Sequence, residues 1–220
     1  MIYPYLYTLY FDMTPVKNLI FDLGNVLYDI DFDIMYAQFD QLGIPNFENH
    51  FTLNKSDQLF FDLEKGLINE SEFCEGFNQL YQLSLSHDQI ITAWNSLLIG
   101  FRKESMDWVK ANHLIYPTFL FSNTNQIHYD YFIPQFSKEM GGNFEQLFIT
   151  PYYSHKMGMR KPDPASFQSI LDQEGLNAAE TLFIDDNEPN VLAAASVGLQ
   201  VLYLQPGMRI ESELPTILGA

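Results

Sequence analysis

Five short apolar segments stand out along the chain, each bounded by polar residues. They cover residues 17–23, 116–122, 146–150, 181–185 and 200–204. Apolar runs of this length are typical of buried β-strands. Segments with helical spacing of their apolar residues lie between the later runs, at residues 105–112, 163–174 and 188–197. Strands that alternate with helices predict an α/β fold, in which a parallel sheet is covered by helices on both faces.

The stretch from residue 32 to residue 98 has a different pattern. It contains no comparable strand, and its apolar residues follow helical spacing. Polar breaks interrupt it at residues 54–57, 65–66 and 84–88. We therefore expect an inserted α-helical cap at residues 31–99, between two parts of one core at 14–30 and 100–220.

Three of the predicted strands end in polar residues that are suited to chemistry. Asp22 lies at the end of the first strand, Ser122 ends the second, and Asp185 and Asp186 close the fourth. Ligands of open α/β sheets bind beyond the carboxyl ends of the strands. A carboxylate there can hold Mg²⁺ or attack as a nucleophile. Alone, Asp22 could equally be a turn former or a helix cap, so the convergence of the three ends supports a site.

Two loops carry further groups that could bind phosphate. Ser122, Asn123 and Thr124 precede a helix-like segment, where hydroxyls and free backbone amides can hold phosphate oxygens, although simple helix capping is the alternative. Lys161 lies in the segment RKPDP, whose two prolines stiffen the turn. Its ammonium could pair with a nucleophilic aspartate and a phosphoryl oxygen. We expect its neighbour Arg160 to be solvated.

These pieces, in this order, resemble the motifs of the haloacid dehalogenase superfamily. The motifs read FDLGNVL from Phe21, SNT from Ser122, RKPDP from Arg160 and FIDDN from Phe183. The resemblance implies a Rossmann-like core whose helical cap follows the first motif, as in capped subfamily I (IA type). Within that superfamily, the first motif and the sequence DIDF after it look closest to bacterial sugar phosphatases of the α-D-glucose-1-phosphate phosphatase type.

The resemblance implies a magnesium-dependent phosphatase that hydrolyses a small phosphorylated metabolite, such as a sugar phosphate, through an aspartyl phosphate. Asp22 would be the nucleophile and a Mg²⁺ ligand. The backbone carbonyl of Gly24 and the carboxylate of Asp186 would complete the metal site, and Asp185 would hold a metal-bound water.

The resemblance also assigns the phosphate contacts. Ser122 and Asn123 would bind the transferring phosphoryl group, and Lys161 would stabilise its charge. Phosphoryl transfer depends mainly on positioning and on neutralising charge, which this set of residues provides.

Gly24 departs from the pattern of the superfamily. Most of its phosphatases carry a second aspartate at this position, which protonates the leaving group and later activates water. Asp29, Asp31 or His128 could replace it. Alternatively, the substrate could have an acidic leaving group, such as an anomeric hydroxyl, or the protein could be slow or inactive.

Composition narrows the partners. A net charge of −17 disfavours nucleic acid and anionic membranes, whereas a metal ion and a few basic residues still allow a small phosphorylated substrate. The single cysteine, Cys74, excludes an internal disulfide and suits the cytoplasm. We expect residues 1–13 to be an N-terminal tail, and the chain could be a monomer or a homodimer. Two rival functions are a metal-independent dehalogenase, which the paired acids disfavour, and a non-catalytic binding protein.

Overall fold

The computed structural model describes residues 14–51 and 57–219. The predicted tail at residues 1–13 and most of the polar break at 54–57 lie outside the described residues. The strands are β1 (Asn18–Phe21), β2 (Tyr28–Ile30), β3 (Leu98–Phe101), β4 (Thr118–Ser122), β5 (Pro151–Tyr153), β6 (Thr181–Asp185) and β7 (Gln200–Tyr203). The helices are α1 (Phe32–Gln41), α2 (Gln58–Glu64), α3 (Glu70–Tyr81), α4 (His87–Asn95), α5 (Lys103–Asn112), α6 (Gln126–Glu139), α7 (Ser154–Met157), α8 (Pro164–Glu174), α9 (Glu188–Ser196) and α10 (Ile210–Leu218).

A parallel sheet of five strands in the order β5-β4-β1-β6-β7 confirms the predicted α/β fold. The apolar strand β1 lies at its centre and is nearly all buried, which explains its continuous hydrophobic sequence. Leu19 and Phe21 contribute to one buried cluster and Ile20 to another, because alternate side chains of a strand point to opposite faces. The helical segments predicted at 105–112, 163–174 and 188–197 correspond to α5, α8 and α9.

The predicted strand at 146–150 is wrong. A short 3-10 helix occupies Glu145–Leu147 instead, and β5 begins only at Pro151. Phe148 is buried in the core, whereas the next residue, Ile149, is 61% exposed. The apolar run therefore packs a turn against the core and then leads into the edge strand. Two short strands, β2 and β3, were not predicted.

The helices α1 to α4 lie between β2 and β3 in the sequence and pack around a separate buried cluster. That cluster is rich in aromatic side chains, namely Phe39, Phe47, Phe51, Phe60, Phe73, Phe77 and Trp94. Cys74 is buried in it, and burial raises the pKa of its thiol to about 11, which fits a packing role. The antiparallel pair of β2 and β3 marks the base of this region, and a cap at 31–99 remains a prediction. No helix in the described part of the chain combines the length and hydrophobicity that crossing a membrane requires.

Candidate active site

Three carboxylates meet at the carboxyl ends of β1 and β6. Asp22, Asp185 and Asp186 each offer an oxygen, and these oxygens lie within 4.8 Å of one another. The two strands are hydrogen-bonded neighbours, and the Asp22 amide donates to the carbonyl of Ile184 over 2.9 Å. Residues that follow the two strands are therefore brought side by side. Magnesium prefers oxygen ligands of this kind, so the residues fit a magnesium site.

Lys161 reaches this cluster from the loop before α8. Its Nζ donates to Asp22 Oδ1 over 2.6 Å and to Asp185 Oδ2 over 2.7 Å, and the side chain is 1% exposed. Burial alone would lower the pKa of Lys161, but the charges of Asp185 and Asp22 outweigh it and raise that pKa. The lysine is therefore a fixed positive charge between two acids.

Burial and the charges of the neighbouring acids raise the pKa values of Asp22 and Asp186. Burial raises the pKa of Asp22 to about 7, with Lys161 opposing the shift and Asp185 adding to it. Burial, with the charge of Asp185, also raises the pKa of Asp186 to about 6. When all three acids are ionised, the single ammonium of Lys161 leaves two negative charges uncompensated. A divalent cation has the charge that would balance them.

Asp185 is the most constrained of the three acids. It is fully buried, and its Oδ1 accepts from the Asn187 amide over 2.7 Å. Asn190, on the first turn of α9, donates to both of its oxygens over 3.2 and 3.0 Å. Asn190 was not predicted from the sequence, although its position five residues after Asp185 places it on the first turn of the following helix. These contacts suit a residue that orients its neighbours more than a direct metal ligand.

The predicted phosphate-binding residues lie at the end of β4. Ser122 is its last residue and is buried. The side chain of Asn123 holds the Lys161 peptide, donating to its carbonyl and accepting from its amide, each over 2.9 Å. Thr124 is anchored to Ser154, whose hydroxyl oxygen accepts from the Thr124 amide over 2.9 Å. The Asn123 side chain thus positions Lys161 through its oxygen and one of its two N–H donors.

Gly24 lies in a tight turn directly after Asp22. The carbonyl of Leu23 accepts from the amides of Leu27 and Tyr28, each over 2.9 Å, which folds the chain back. A Cβ atom at Gly24 would lie 3.0 Å from Cδ1 of Ile30. A side chain at this position would therefore require the flexible end of Ile30 to shift by a few tenths of an ångström.

None of the three proposed replacements presents a free acid to the site. Asp29 is bound by Arg102, whose Nε lies 2.5 Å from its Oδ1, and Asp31 caps helix α1. Neither aspartate lines the cavity described below. His128 does line it, but burial lowers its pKa to about 4. Its Nε2 lies 3.2 Å from the Trp94 carbonyl, so the ring is neutral and engaged.

A cavity extends from the strand ends towards helices α1 to α4. It contains about 570 Å³ of empty space, part of which is open to solvent. The core contributes Gly24, Ser122, Asn123, Thr124 and His128 to its walls, and the inserted region contributes Phe32, Phe51, Glu64, Trp94 and Leu97. Among the described residues, most of the wall on the inserted side is apolar, and Glu64 is its one charged residue.

The expectation that Arg160 is solvated is wrong. Its side chain is 13% exposed, and its Nε lies 2.8 Å from Oε2 of Glu64. The guanidinium also lies over the ring of Phe61, 4.8 Å from the ring centre. No local sequence signal pointed to this pair, because Glu64 lies nearly a hundred residues earlier, on helix α2.

Comparisons with known proteins agree with this geometry. The profile of the haloacid dehalogenase-like hydrolases matches residues 16–198. The D-ribitol-5-phosphate phosphatase of Bacteroides thetaiotaomicron is 27% identical over 93% of this chain and 100% of its own length. A variant of a haloacid dehalogenase family enzyme from the same organism, in complex with magnesium and inorganic phosphate, superposes with a TM-score of 0.82. It is 32% identical, over 87% of this chain and 95% of its own. A predicted hydrolase of this type from Porphyromonas gingivalis gives a TM-score of 0.86 at 28% identity, over 94% of this chain and 100% of its own.

Proposed function

The chain belongs to the haloacid dehalogenase-like hydrolases, and we propose that it is a magnesium-dependent phosphatase acting on a small phosphorylated metabolite. One observation carries this proposal. Lys161 bridges Asp22 and Asp185 at the strand ends, and an oxygen of Asp186 lies within 4.8 Å of an oxygen of each of these acids. The D-ribitol-5-phosphate phosphatase that matches this chain over its full length supports a sugar or polyol phosphate as the substrate class.

In the proposed reaction, an Asp22 carboxylate oxygen attacks phosphorus and the bond from phosphorus to the ester oxygen breaks. The ester oxygen leaves as an alkoxide and takes a proton from water to give the alcohol. A water molecule then attacks the phosphorus of the aspartyl phosphate, the bond from phosphorus to the Asp22 oxygen breaks, and inorganic phosphate and the Asp22 carboxylate are released. Lys161 holds the carboxylate in place and offsets the negative charge of the phosphoryl oxygens, to which the Ser122 hydroxyl would donate a hydrogen bond. Asp22, Asp186 and the Gly24 carbonyl would hold Mg²⁺, which supplies further positive charge to the phosphate.

The leaving oxygen receives little acid help in this proposal. Position 24 is a glycine and carries no acidic side chain, and His128 is neutral and engaged. Negative charge then builds on the leaving oxygen, so more acidic alcohols should leave faster. A positioned general acid is typically worth about 10²–10⁴-fold, so sugar 1-phosphates and aryl phosphates should react much faster than 6-phosphates. A flat rate across esters of graded leaving-group acidity, with chemistry rate-limiting, would mean that another residue donates the proton.

We further propose that residues 31–99 act as a cap whose closure over the cavity excludes water from the phosphoryl group. The buried contacts between α2 and the loop before Lys161 support this role. We place the protein in the cytoplasm, as a monomer or a homodimer, in line with its single buried cysteine.

Hydrolysis of an aryl phosphate tests the proposal. This ester has a good leaving group, so it needs no acid from the enzyme. Purified protein should release phosphate in the presence of Mg²⁺ and stop when a chelator is in excess. Full activity in the chelator would contradict the metal-dependent reaction, and no activity under either condition would contradict the enzymatic function.

A further inference from the structure

Glu64 places a carboxylate in the wall of the cavity that extends from the strand ends. It ends helix α2, is 8% exposed, and lines the same cavity as Ser122 and Asn123. A phosphate ester at the strand ends would carry negative charge of its own. An uncompensated carboxylate in the same buried space would repel it, since charges interact strongly where water is excluded.

Arg160 is the group that compensates this carboxylate. Its Nε lies 2.8 Å from Glu64 Oε2, and both side chains are largely buried. Burial raises the pKa of Glu64, and the charge and hydrogen bond of Arg160 oppose that shift. Arg160 therefore favours the ionised form of Glu64 and balances its charge at the same time.

The backbone fixes Glu64 in this position. Two residues later, Gly66 has a φ of +66°, and a Cβ atom there would lie 2.1 Å from the carbonyl oxygen of His155. The turn after α2 is thus pressed against α7 of the core. On the other side of the pair, Arg160 is joined by one peptide bond to Lys161, which Asn123 holds.

We propose that Arg160 controls phosphate binding indirectly, by neutralising the Glu64 carboxylate that α2 places in the cavity wall. This inference rests on the proposed function and adds a positioning residue to it. In this proposal, Glu64 is a negative charge that Arg160 has to neutralise, and Glu64 transfers no proton. A pair that only clasps the inserted region to the core would instead weaken phosphate binding equally when either partner is removed.

Binding of inorganic phosphate, measured by calorimetry at pH 8 with saturating Mg²⁺, separates these possibilities without turnover. Arg160→Gln should raise the Kd for phosphate by at least about tenfold, because it leaves a buried charge unpaired. Arg160→Lys keeps the charge and should stay within about threefold of the wild type. Glu64→Gln should bind phosphate as tightly as the wild type or more tightly, and the double variant Glu64→Gln/Arg160→Gln should recover the loss caused by Arg160→Gln.

Thermal unfolding of each variant gives the folding control. Equal weakening by Glu64→Gln and Arg160→Gln would overturn the proposal, because it is the signature of a clasp. Wild-type affinity in Arg160→Gln would overturn it as well. If Arg160→Gln does not fold, Glu64→Gln still decides, since a tenfold weakening there contradicts the proposal. A wild-type protein that binds no phosphate with Mg²⁺ would refute the proposed function itself, whereas wild-type binding with clasp-like variants would refute this inference alone.

Discussion

The core and the inserted helical region bury very different residues at the same cavity. In the core, charged and polar side chains are buried with specific partners, as Lys161 is between Asp22 and Asp185. In the described part of the insertion, the buried cluster is apolar and about half aromatic, and Glu64 is the one buried acid of this region. Under the proposed function, the core would supply the reacting groups and the insertion would supply the shape and surroundings of the substrate. Changes in the two regions should therefore affect different kinetic constants.

The largest effect should come from removing a core acid. Asp186→Ala deletes a proposed metal ligand, so kcat should fall by about 10²–10³-fold or more, as when a charge-stabilising group is lost. Steady-state kinetics over a range of Mg²⁺ concentrations measures this. Asp172→Ala, at an exposed position on α8, is the matched control and should behave like the wild type. A kcat and a dependence on Mg²⁺ concentration that are both unchanged in Asp186→Ala would contradict the metal site.

The stability of the metal-free protein should depend on pH through the same acids. Asp22 and Asp186 have raised pKa values of about 7 and about 6 in the folded protein, against an ordinary 3.8. Between about pH 4 and 7 the folded state therefore binds more protons than the unfolded state, and stability falls as pH rises through this range. In chelator, urea unfolding should show higher stability at pH 5 than at pH 8, and Mg²⁺ should restore stability at pH 8.

Two variants separate this effect from the general acidity of the protein. Asp22→Asn and Asp186→Asn should each flatten the dependence on pH, whereas Asp172→Asn should leave it unchanged. If stability changes with pH by the same amount in all three variants, the net charge of −17 causes the dependence and the site does not.

A smaller effect is expected from the insertion. Gly66→Ala should push the turn after α2 away from the carbonyl of His155, and so raise KM more than it lowers kcat. Gly43→Ala is the matched control, because Gly43 also has a positive φ but no atom lies within 4 Å of its added Cβ. That control should cost only the conformational penalty of about 1 kcal/mol. Equal KM values and equal unfolding free energies for the two variants would show that the contact with His155 is unimportant.

The same contrast explains how much the sequence could predict. Strand ends converge by topology, so Asp22, Ser122 and Asp186 could be placed at one sheet edge from short apolar runs alone. The pairing of Lys161 with an aspartate could be suggested from its stiffened turn, whereas the expected role of Gly24 came only from the resemblance to a family. The contact of Asn190 with Asp185 could have been predicted, because Asn190 lies on the first turn of the helix that follows the second acidic motif.

The contacts that the insertion makes with the core could not be predicted from the sequence. The pairing of Glu64 with Arg160 joins residues far apart in the sequence, and helical periodicity says only which residues are buried. The strand predicted at 146–150 failed for a related reason: the apolar run packs through Phe148 against the core before the chain enters the sheet. Both errors arise where tertiary contacts, and not local pattern, decide the structure.

Trapping the phosphorylated residue tests the central claim most directly. The protein is mixed with an aryl phosphate and Mg²⁺, quenched, and treated with borohydride, which reduces an acyl phosphate to an alcohol. We predict that peptide mass spectrometry finds the reduced residue at Asp22, and that Asp22→Asn shows no label and loses turnover by about 10⁴-fold or more. A label on any other residue, or turnover that survives in Asp22→Asn, would contradict the account.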